Sequence, residues 1–449
     1  VDLHPRIDPV IFLLGCAAGD ADQARTAWIR EQLANDNAVW LSRDPDLLAM
    51  KYARMAADRF DFLRGTAGLF LADVARPDPS RTPTTFLTEP DASVVLLAGD
   101  PHPENVGTMG DAESLTLEAT DLDGAAFGPY LVDVRRAALG VAVLADDAGC
   151  ACAEAAVEAL AMAYQDGLDG GPLACDDVGA VFAERCSDAA DDAAAGEPLV
   201  DLVADGRFVT DETVDEEGKG MLELTPEEDA QVDRLLAAWS APAGFRRLDA
   251  VRRYGVGVAS LPAVRYAVLW DTGVDGTEDD ALLNLREVVD PPLPPGRSST
   301  IPLLYASNAA RIEKAARRLW SRPDADPLLA GLADGDQTFK VTSWSAWFDG
   351  IDHEDLLGAS EADVVGLASD LGRVLGATHA RGLTSRGEQA GPVIVADIGG
   401  RTGTFAEELQ ADATADLQGL DRDHALFVRA LALYGPLLGA DTPVADVAP

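Results

Sequence analysis

Residues 94–105 constrain this chain more than any other stretch. Val94, Val95, Leu96 and Leu97 make a short apolar run with the pattern of a buried strand, and the run stops at Gly99. Asp100, His102 and Asn105 follow within six residues, and sixteen residues further on comes Thr120-Asp121-Leu122-Asp123-Gly124, at the end of a second strand-like run over residues 114–119. Carboxylate and amide oxygens at the ends of two successive strands are the donors that a hard cation such as Mg²⁺ takes. Only a fold that sets those strand ends side by side can use them together. The bland alternative is a turn rich in Asp, Pro and Asn that merely joins strands.

The spacing narrows the chemistry. In the protein-kinase-like superfamily a catalytic Asp is followed five residues on by a metal-binding Asn, and then by a metal-binding Asp at the end of the next hairpin. Asp100, Asn105 and Asp121 have that spacing. The small-molecule branch, with its aminoglycoside and choline kinases, reads His-Gly-Asp-x-His-Pro-x-Asn, and residues 99–105 are similar to it, with Ala98 in place of the first His. That branch also carries an Asp at the head of a helix about a dozen residues past the metal Asp, and Gly128-Pro129-Tyr130-Leu131-Val132-Asp133 resembles this element.

Composition bounds the partners. The 449 residues suit two or three packed subdomains, and a hydrophobic content of 47% is ample for a core. Asp and Glu number 77 against 35 Lys and Arg, a formal charge of −42, which repels nucleic acid and anionic membrane alike. Only four of the cations are lysines: Lys51, Lys219, Lys314 and Lys340. No apolar run approaches the roughly 20 residues of a membrane helix. Residues 10–16 resemble a bacterial lipoprotein motif ending at Cys16, although Asp8 sits where charge is normally excluded. A lipid anchor at Cys16 is therefore the one membrane attachment the sequence suggests, and cytoplasmic and exported locations both stand. Cys150, Cys152, Cys175 and Cys186 are compatible with two disulfides in any of three pairings, of which Cys150 to Cys152 is the least favoured on geometry. Small buried thiols are the alternative, and zinc is weaker because no His lies nearby.

Along the chain, residues 23–33 and 45–62 read as helices, and another runs to Val74 before Pro77, Pro79 and Pro83 break the pattern. Arg64 has the geometry to hold a phosphate or carboxylate, or to make a surface ion pair. Helices are expected over 132–145 and 151–164, then an acidic surface insertion over 188–227 with a hairpin near Phe208. From Phe245 the texture turns to strands: 248–254, the glycine turn Gly255-Val256-Gly257-Val258-Ala259-Ser260, then 265–270, a loop over 271–280, and 281–287. A helix over 306–320, a last strand and hinge over 339–348 with Trp344 and Trp347, a helix over 362–381, a short strand over 392–397 and a helix over 422–434 complete the reading, with a loose tail after Pro436.

Strand, glycine turn, strand, loop, strand is how a kinase-like nucleotide lobe begins, and its third strand normally carries a phosphate-binding Lys. Arg286 stands there, keeping the charge but not the point geometry. Glu313 is the candidate acidic partner for Arg286, or else an i,i+4 partner of Arg317. The chain resembles a bacterial family known only as domain of unknown function 2252, grouped with protein-kinase-like folds. The matching residues are Phe60-x-Phe62-x-Arg64-Gly65, Gly99-Asp100-x-His102-x-x-Asn105-x-Gly107, Asp121-Leu122-Asp123, Gly128-Pro129-x-x-x-Asp133-x-x-Arg136, Gly255-Val256-Gly257, Leu285-Arg286-Glu287 and His379-Ala380-Arg381. It departs from that pattern at Arg286, at Leu122 in place of an aromatic, and at Ala259.

The resemblance implies an α+β, two-lobed kinase-like fold. Its expected parts are an N-terminal extension (1–44), a helical lobe (45–244), a small antiparallel-sheet lobe (245–350) and a helical completion with a tail (351–449). The expected order of parts is inverted: the catalytic loop precedes the glycine turn, so the expected fold is circularly permuted relative to ordinary kinases. The expected chemistry is ATP- and Mg²⁺-dependent phosphoryl transfer to an unknown small-molecule or protein acceptor. Asp100 is the base, Asn105, Asp121 and Asp123 are the metal ligands, Gly255, Gly257, Ser260 and Arg286 bind nucleotide, and His102, Glu313, Asp133 and Arg64 support the site. Two rivals stand beside it: a non-catalytic nucleotide-binding module, which Arg286 favours, and a metal-dependent hydrolase built on Asp100, His102, Asp121 and Asp123.

Overall fold

The computed structural model describes residues 9–76, 84–86, 94–215, 217–239, 245–271, 280–292, 305, 307–324 and 326–440, with side chains from residue 20 onward. Helices α1 (Pro9–Asp36), α2 (Ala38–Arg43), α3 (Pro45–Ala57), α4 (Arg59–Gly65) and α5 (Ala67–Val74) precede strand β1 (Val94–Leu96). Then come β2 (Val106–Asp111), β3 (Ser114–Ala119), β4 (Phe127–Pro129), α6 (Tyr130–Asp147), α7 (Ala153–Gly167), β5 (Leu173–Ala174), α8 (Ala180–Ala195), α9 (Leu199–Leu202), β6 (Val203–Ala204) and β7 (Arg207–Phe208). They are followed by β8 (Gly220–Glu223), α10 (Pro226–Ala238), β9 (Arg246–Tyr254), β10 (Arg265–Asp271), β11 (Ala281–Glu287), α11 (Asn308–Leu319), β12 (Ala330–Asp334), β13 (Gln337–Ser343), α12 (Glu361–Arg381), α13 (Ala390–Ile398) and α14 (Thr402–Tyr434). The architecture is α+β, and its sheets are antiparallel.

A six-stranded sheet, ordered β12-β13-β11-β10-β9-β8, is buried on both faces. Val232 and Leu235 of α10, with Trp239 just after it, cover one face, against Tyr266, Val268, Leu283, Leu285, Phe339 and Val341. On the other face Phe208 of β7 packs on Val251, Ala267, Leu269 and Leu282. Burial on both sides explains why β10 is apolar nearly throughout instead of alternating.

The second core is helical. It is centred on α6, most of whose residues are buried, and on α7 against α12. Those two helices meet backbone to backbone: a Cβ on Gly376 would lie 2.1 Å from the Tyr164 carbonyl oxygen, and one on Gly372 would lie 2.4 Å from that of Leu160. Among the described residues no helix is long and apolar enough to cross a membrane.

Several expectations need correction. The helix expected over 45–62 is two, because Asp58 leaves the helix and caps α4 by accepting from the Asp61 amide. Residues 392–397 are not a strand. They lie in α13, where Ile394 and Ile398, four apart, share a buried face and Gly399 ends the helix in the left-handed region at φ 58°. The segment 188–227 does not lie wholly on the surface: Phe208 is buried in the sheet core, and β8 is an edge strand of the main sheet, which therefore begins upstream of Phe245. Helix 422–434 is the end of α14, which starts at Thr402. Cys150 pairs with Cys152, the pairing least favoured from sequence, and Cys175 with Cys186. The bend between α6 and α7 brings the Cα atoms of Cys150 and Cys152 to 5.2 Å, inside disulfide reach. Pro77, Pro79, Pro83, most of the loop over 271–280, the end of the tail and the side chain of Cys16 lie outside the described residues.

Candidate active site

The loop after β1 is shaped by a contact only glycine permits. Gly99 has φ +102°, and a Cβ there would sit 2.2 Å from the carbonyl carbon of Gly124. The start of the Asp100 loop thus lies directly on the Asp123–Gly124 turn. A second link fixes the other end: the Thr120 amide donates to the Asn105 carbonyl at 2.9 Å, continuing the β2–β3 pairing past Val106 and Ala119. Asn105 Nδ2 donates to the Asp100 carbonyl at 2.8 Å. The two strand ends read from sequence therefore lie side by side.

Asp133 supports this loop from α6. Its Oδ2 accepts from the Ala98 amide at 2.7 Å and stands 3.1 Å from His379 Nε2, while His379 Nδ1 is 2.8 Å from the Tyr164 hydroxyl. With Asp133 accepting, Nε2 carries the imidazole proton and Nδ1 accepts from Tyr164. Asp100 itself is held by Arg136, whose Nε donates to Oδ1 at 2.6 Å and whose Nη2 donates to the Leu63 carbonyl. His102 stands beside the loop's own carboxylate, with Nε2 4.0 Å from Asp100 Oδ2. It is buried edge-on against Phe60, its Nδ1 has no hydrogen-bond partner among the described residues, and burial pushes its pKa down to about 4. Arg64 turns to Glu104 in the loop at 2.8 Å, an ion pair within the protein.

Across from the hairpin end stands the six-stranded sheet. Arg286 Nη2 lies 2.9 Å from both Asp121 oxygens and also bonds Asp123. Lys340 Nζ is 2.6 Å from Asp123 Oδ1 and 3.6 Å from Asp121. Burial alone would raise the Asp121 carboxyl, but Arg286 and Lys340 hold it well below the usual carboxylate range. Arg286 shows the reverse balance: burial disfavours its charge, and Asp121 and Asp123 hold it above its ordinary value.

The strand register explains this meeting. Arg286 on β11 sits opposite Lys340 on β13 and opposite Arg265 on β10. Tyr266 sits opposite Arg252, which carries the same row on to Arg253 of β9. Directly opposed residues share a face, so four cations cross one face of the sheet in a line.

The remaining candidates distribute as follows. Gly255 and Gly257 form the β9–β10 turn at φ 67° and 82°, with their carbonyls held by Arg54 at 2.8 and 2.9 Å. Ser260 Oγ accepts from Arg265 at 2.6 Å. Glu313 is not the partner of Arg286. It lies one helical turn from Arg317 on α11 and pairs with it at 3.2 Å, whereas Arg286 points to the hairpin end. Trp344 packs with the sheet core and lies under Arg253 at 3.9 Å, so its ring is already in contact with protein. Among the described residues no three His, Cys, Asp or Glu side chains converge as a metal-binding group. A cavity of about 410 Å³ lies elsewhere, between Trp40 and Arg43 of α2 and Leu222, Arg252 and Tyr254 of the sheet.

Residues 43–430 match the family described as "Uncharacterized protein conserved in bacteria (DUF2252)". The chain belongs to this family. No curated protein and no solved structure matches it. The matched span of this DUF2252 member holds every side chain named above for the loop, the hairpin end and the cation row. Lys340, Arg253 and Arg265 were not singled out from sequence. The available signal was the scarcity of lysine, one of whose four copies falls inside an apolar strand.

Proposed function

We propose that this DUF2252 protein is an ATP- and Mg²⁺-dependent phosphotransferase on a kinase-like, circularly permuted fold, with a small-molecule or protein acceptor. The observation that carries the proposal is the facing of Asp121 and Asp123 by Arg286 and Lys340 beside the Asp100–Asn105 loop. Oxygen donors and phosphate-binding cations meet there, across the junction of the helical body and the sheet. Loop and glycine turn occur in the reverse of the ordinary order, near residues 100 and 257.

Asp100 orients or deprotonates the acceptor hydroxyl, and Arg136 fixes its carboxylate. Arg286 and Lys340 bind phosphate oxygens, leaving their carboxylate partners as phosphate arrives. The glycine turn covers the chain of phosphates. Asn105, Asp121 and Asp123 offer the hard oxygen donors that suit Mg²⁺. An ion held by these residues would supply neutralisation of the charge that develops on the phosphate oxygens.

The test is transfer or hydrolysis of a labelled γ-phosphate, together with calorimetry of ATP and Mg²⁺. Asp100→Asn should retain nucleotide binding and lose roughly 10²–10⁴-fold in turnover. Asp121→Asn should lose Mg²⁺-dependent binding. Wild-type turnover in Asp100→Asn, or wild-type affinity in Asp121→Asn, overturns the assignment. One observation favours a second reading, a nucleotide-binding module without catalysis: Asp100 is engaged by Arg136 while both hairpin-end carboxylates are engaged by cations. Tight ATP binding with no turnover in any acceptor screen would support it.

A further inference from the structure

The cation row divides into two halves with different counter-charges. Arg286 and Lys340 face Asp121 and Asp123. Arg253 and Arg265 make no ion pair with a carboxylate among the described residues. Arg265 is only 7% exposed, its Nε has no hydrogen-bond partner among the described residues, and its side chain donates only to the neutral Ser260 hydroxyl. Arg253 reaches Asn284 Oδ1 at 3.4 Å and otherwise lies over the Trp344 ring. Like charges directly opposite one another in a sheet are destabilising, and a buried charge without a counter-charge is costly. Three guanidiniums in a row on β9, β10 and β11 therefore need negative charge beyond what the two carboxylates provide. The rest of the molecule does not explain the row, because cations are the minority charge in this chain, 35 against 77.

We infer that Arg253 and Arg265 form a phosphate-binding subsite beneath the glycine turn, additional to Arg286 and Lys340, for one phosphate group of a polyphosphate chain. The turn runs directly over it: a Cβ on Gly257 would lie 3.2 Å from Arg265 Nη2, and Gly257 itself has φ +82°. Neighbouring guanidiniums suit phosphate oxygens, which accept two N–H bonds from each planar fork. Adjacent strands are about 4.8 Å apart, so the row from β9 to β13 spans roughly 14 Å. That length suits a chain of linked phosphates rather than a single one. Burial, followed by the charges of Arg286 and Arg253, pushes Arg265 down to about 9 against the opposing pull of Asp121 and Asp123, and burial with Arg286 pushes Arg253 down to about 10. The chemistry recognised is a polyphosphate, carried either by a nucleoside triphosphate or as an inorganic chain. The inference rests on the proposed phosphate-binding role of the cleft, but not on catalysis.

The experiment uses the full chain without added metal. Sodium tripolyphosphate and orthophosphate are titrated by calorimetry, while tryptophan emission reports on the Arg253–Trp344 stack, with Trp344→Phe assigning that signal. Tripolyphosphate should bind more tightly than orthophosphate. Arg253→Gln and Arg265→Gln should each weaken it about tenfold or more, the usual worth of a charge-assisted hydrogen bond. The emission change should vanish in Trp344→Phe. Arg265 is buried and its variant could fail to fold, so Arg253→Gln, at a half-buried position and with a melting control, carries the decision alone if needed. Absence of tripolyphosphate binding by the wild type, or unchanged affinity in Arg253→Gln, overturns the subsite. A parallel arm with ATP and Mg²⁺ separates the two proposals. Phosphoryl transfer with unaltered tripolyphosphate affinity in the arginine variants removes the subsite and keeps the phosphotransferase. Weakened tripolyphosphate binding with no nucleotide bound or consumed keeps the subsite and removes the phosphotransferase.

Discussion

Side chains far apart in sequence hold the Asp100 loop in place, and two of them yield direct predictions. His353 stacks on Phe60 with ring centroids 4.7 Å apart and reaches both Asp58, at 3.6 Å, and Glu104 of the loop, at 3.2 Å. The carboxylates of Asp58 and then Glu104 beside it raise its pKa to about 10. A group whose folded pKa is raised stabilises fully below its unfolded value near 6.5, and that stabilisation fades as pH rises toward 10. Lys51 runs the other way: burial lowers it to about 8, so its contribution improves as pH climbs from 8 toward its unfolded 10.5. The informative measurement is therefore the difference between wild type and His353→Gln in urea melts at pH 6.5 and pH 10. The variant should be less stable at pH 6.5 and nearly equal at pH 10; a constant difference would mean that the imidazole charge plays no part. Asp133 gives the second case. Asp133→Ala leaves the Ala98 amide and the His379 Nε2–H buried without an acceptor. A buried donor left without its acceptor typically costs about 1–3 kcal/mol. A loss below about 1 kcal/mol in denaturant melts would show that the loop does not depend on it.

At the level of whole elements, α7 and α12 approach too closely for anything but glycine at their contact. Gly167, Gly372 and Gly376 each face a carbonyl of the other helix at a distance no Cβ could tolerate. Tyr164 and His379 ride on these same helices, so their separation governs how Asp133 meets the loop. Gly376→Ala should therefore destabilise by about 1–3 kcal/mol through overpacking, and it should also weaken ATP binding at a site it does not touch. Reduced melting temperature with unchanged nucleotide affinity would separate the helix contact from the loop. Local pattern made much of this scaffold legible. β1, β3, β9, β10 and β11 were marked by β-rich apolar runs and glycine punctuation, and α12 by its period. α13 was not, since a short apolar run reads equally as strand or helix. The edge strand β8 lay hidden in an acidic segment. Asp100, Asn105 and Asp121 were legible because their relation is local, one loop and one hairpin. Lys340 was not, because its nearness to Arg286 depends on strand register, which arises only when the sheet pairs.

Over the whole molecule, the charge of −42 sets a background against which the cation row must work. Many carboxylates do have partners; Arg25 bridges Asp73 and Asp423, and Arg59 joins Asp146, Asp147 and Asp421. With 77 acids and 35 bases, however, most acidic side chains have no cation to themselves. Self-repulsion of unmatched carboxylates destabilises a compact state, and salt screens it over a Debye length of about 10 Å at 0.1 M and 3 Å at 1 M. Screening also weakens the ion pairs, but exposed pairs are worth only about 0–1 kcal/mol each, so relief of repulsion should prevail. The melting temperature should therefore rise between 0.05 and 1 M KCl, roughly the range over which the Debye length falls several-fold. Tripolyphosphate binding should not follow that trend. A ligand approaching through the acidic field gains from screening at a distance, but at contact it loses attraction to Arg253, Arg265, Arg286 and Lys340. If the row is what holds it, affinity falls with salt while stability rises. Affinity rising in parallel with stability would place the anion outside the row, against a surface where only the general repulsion is felt.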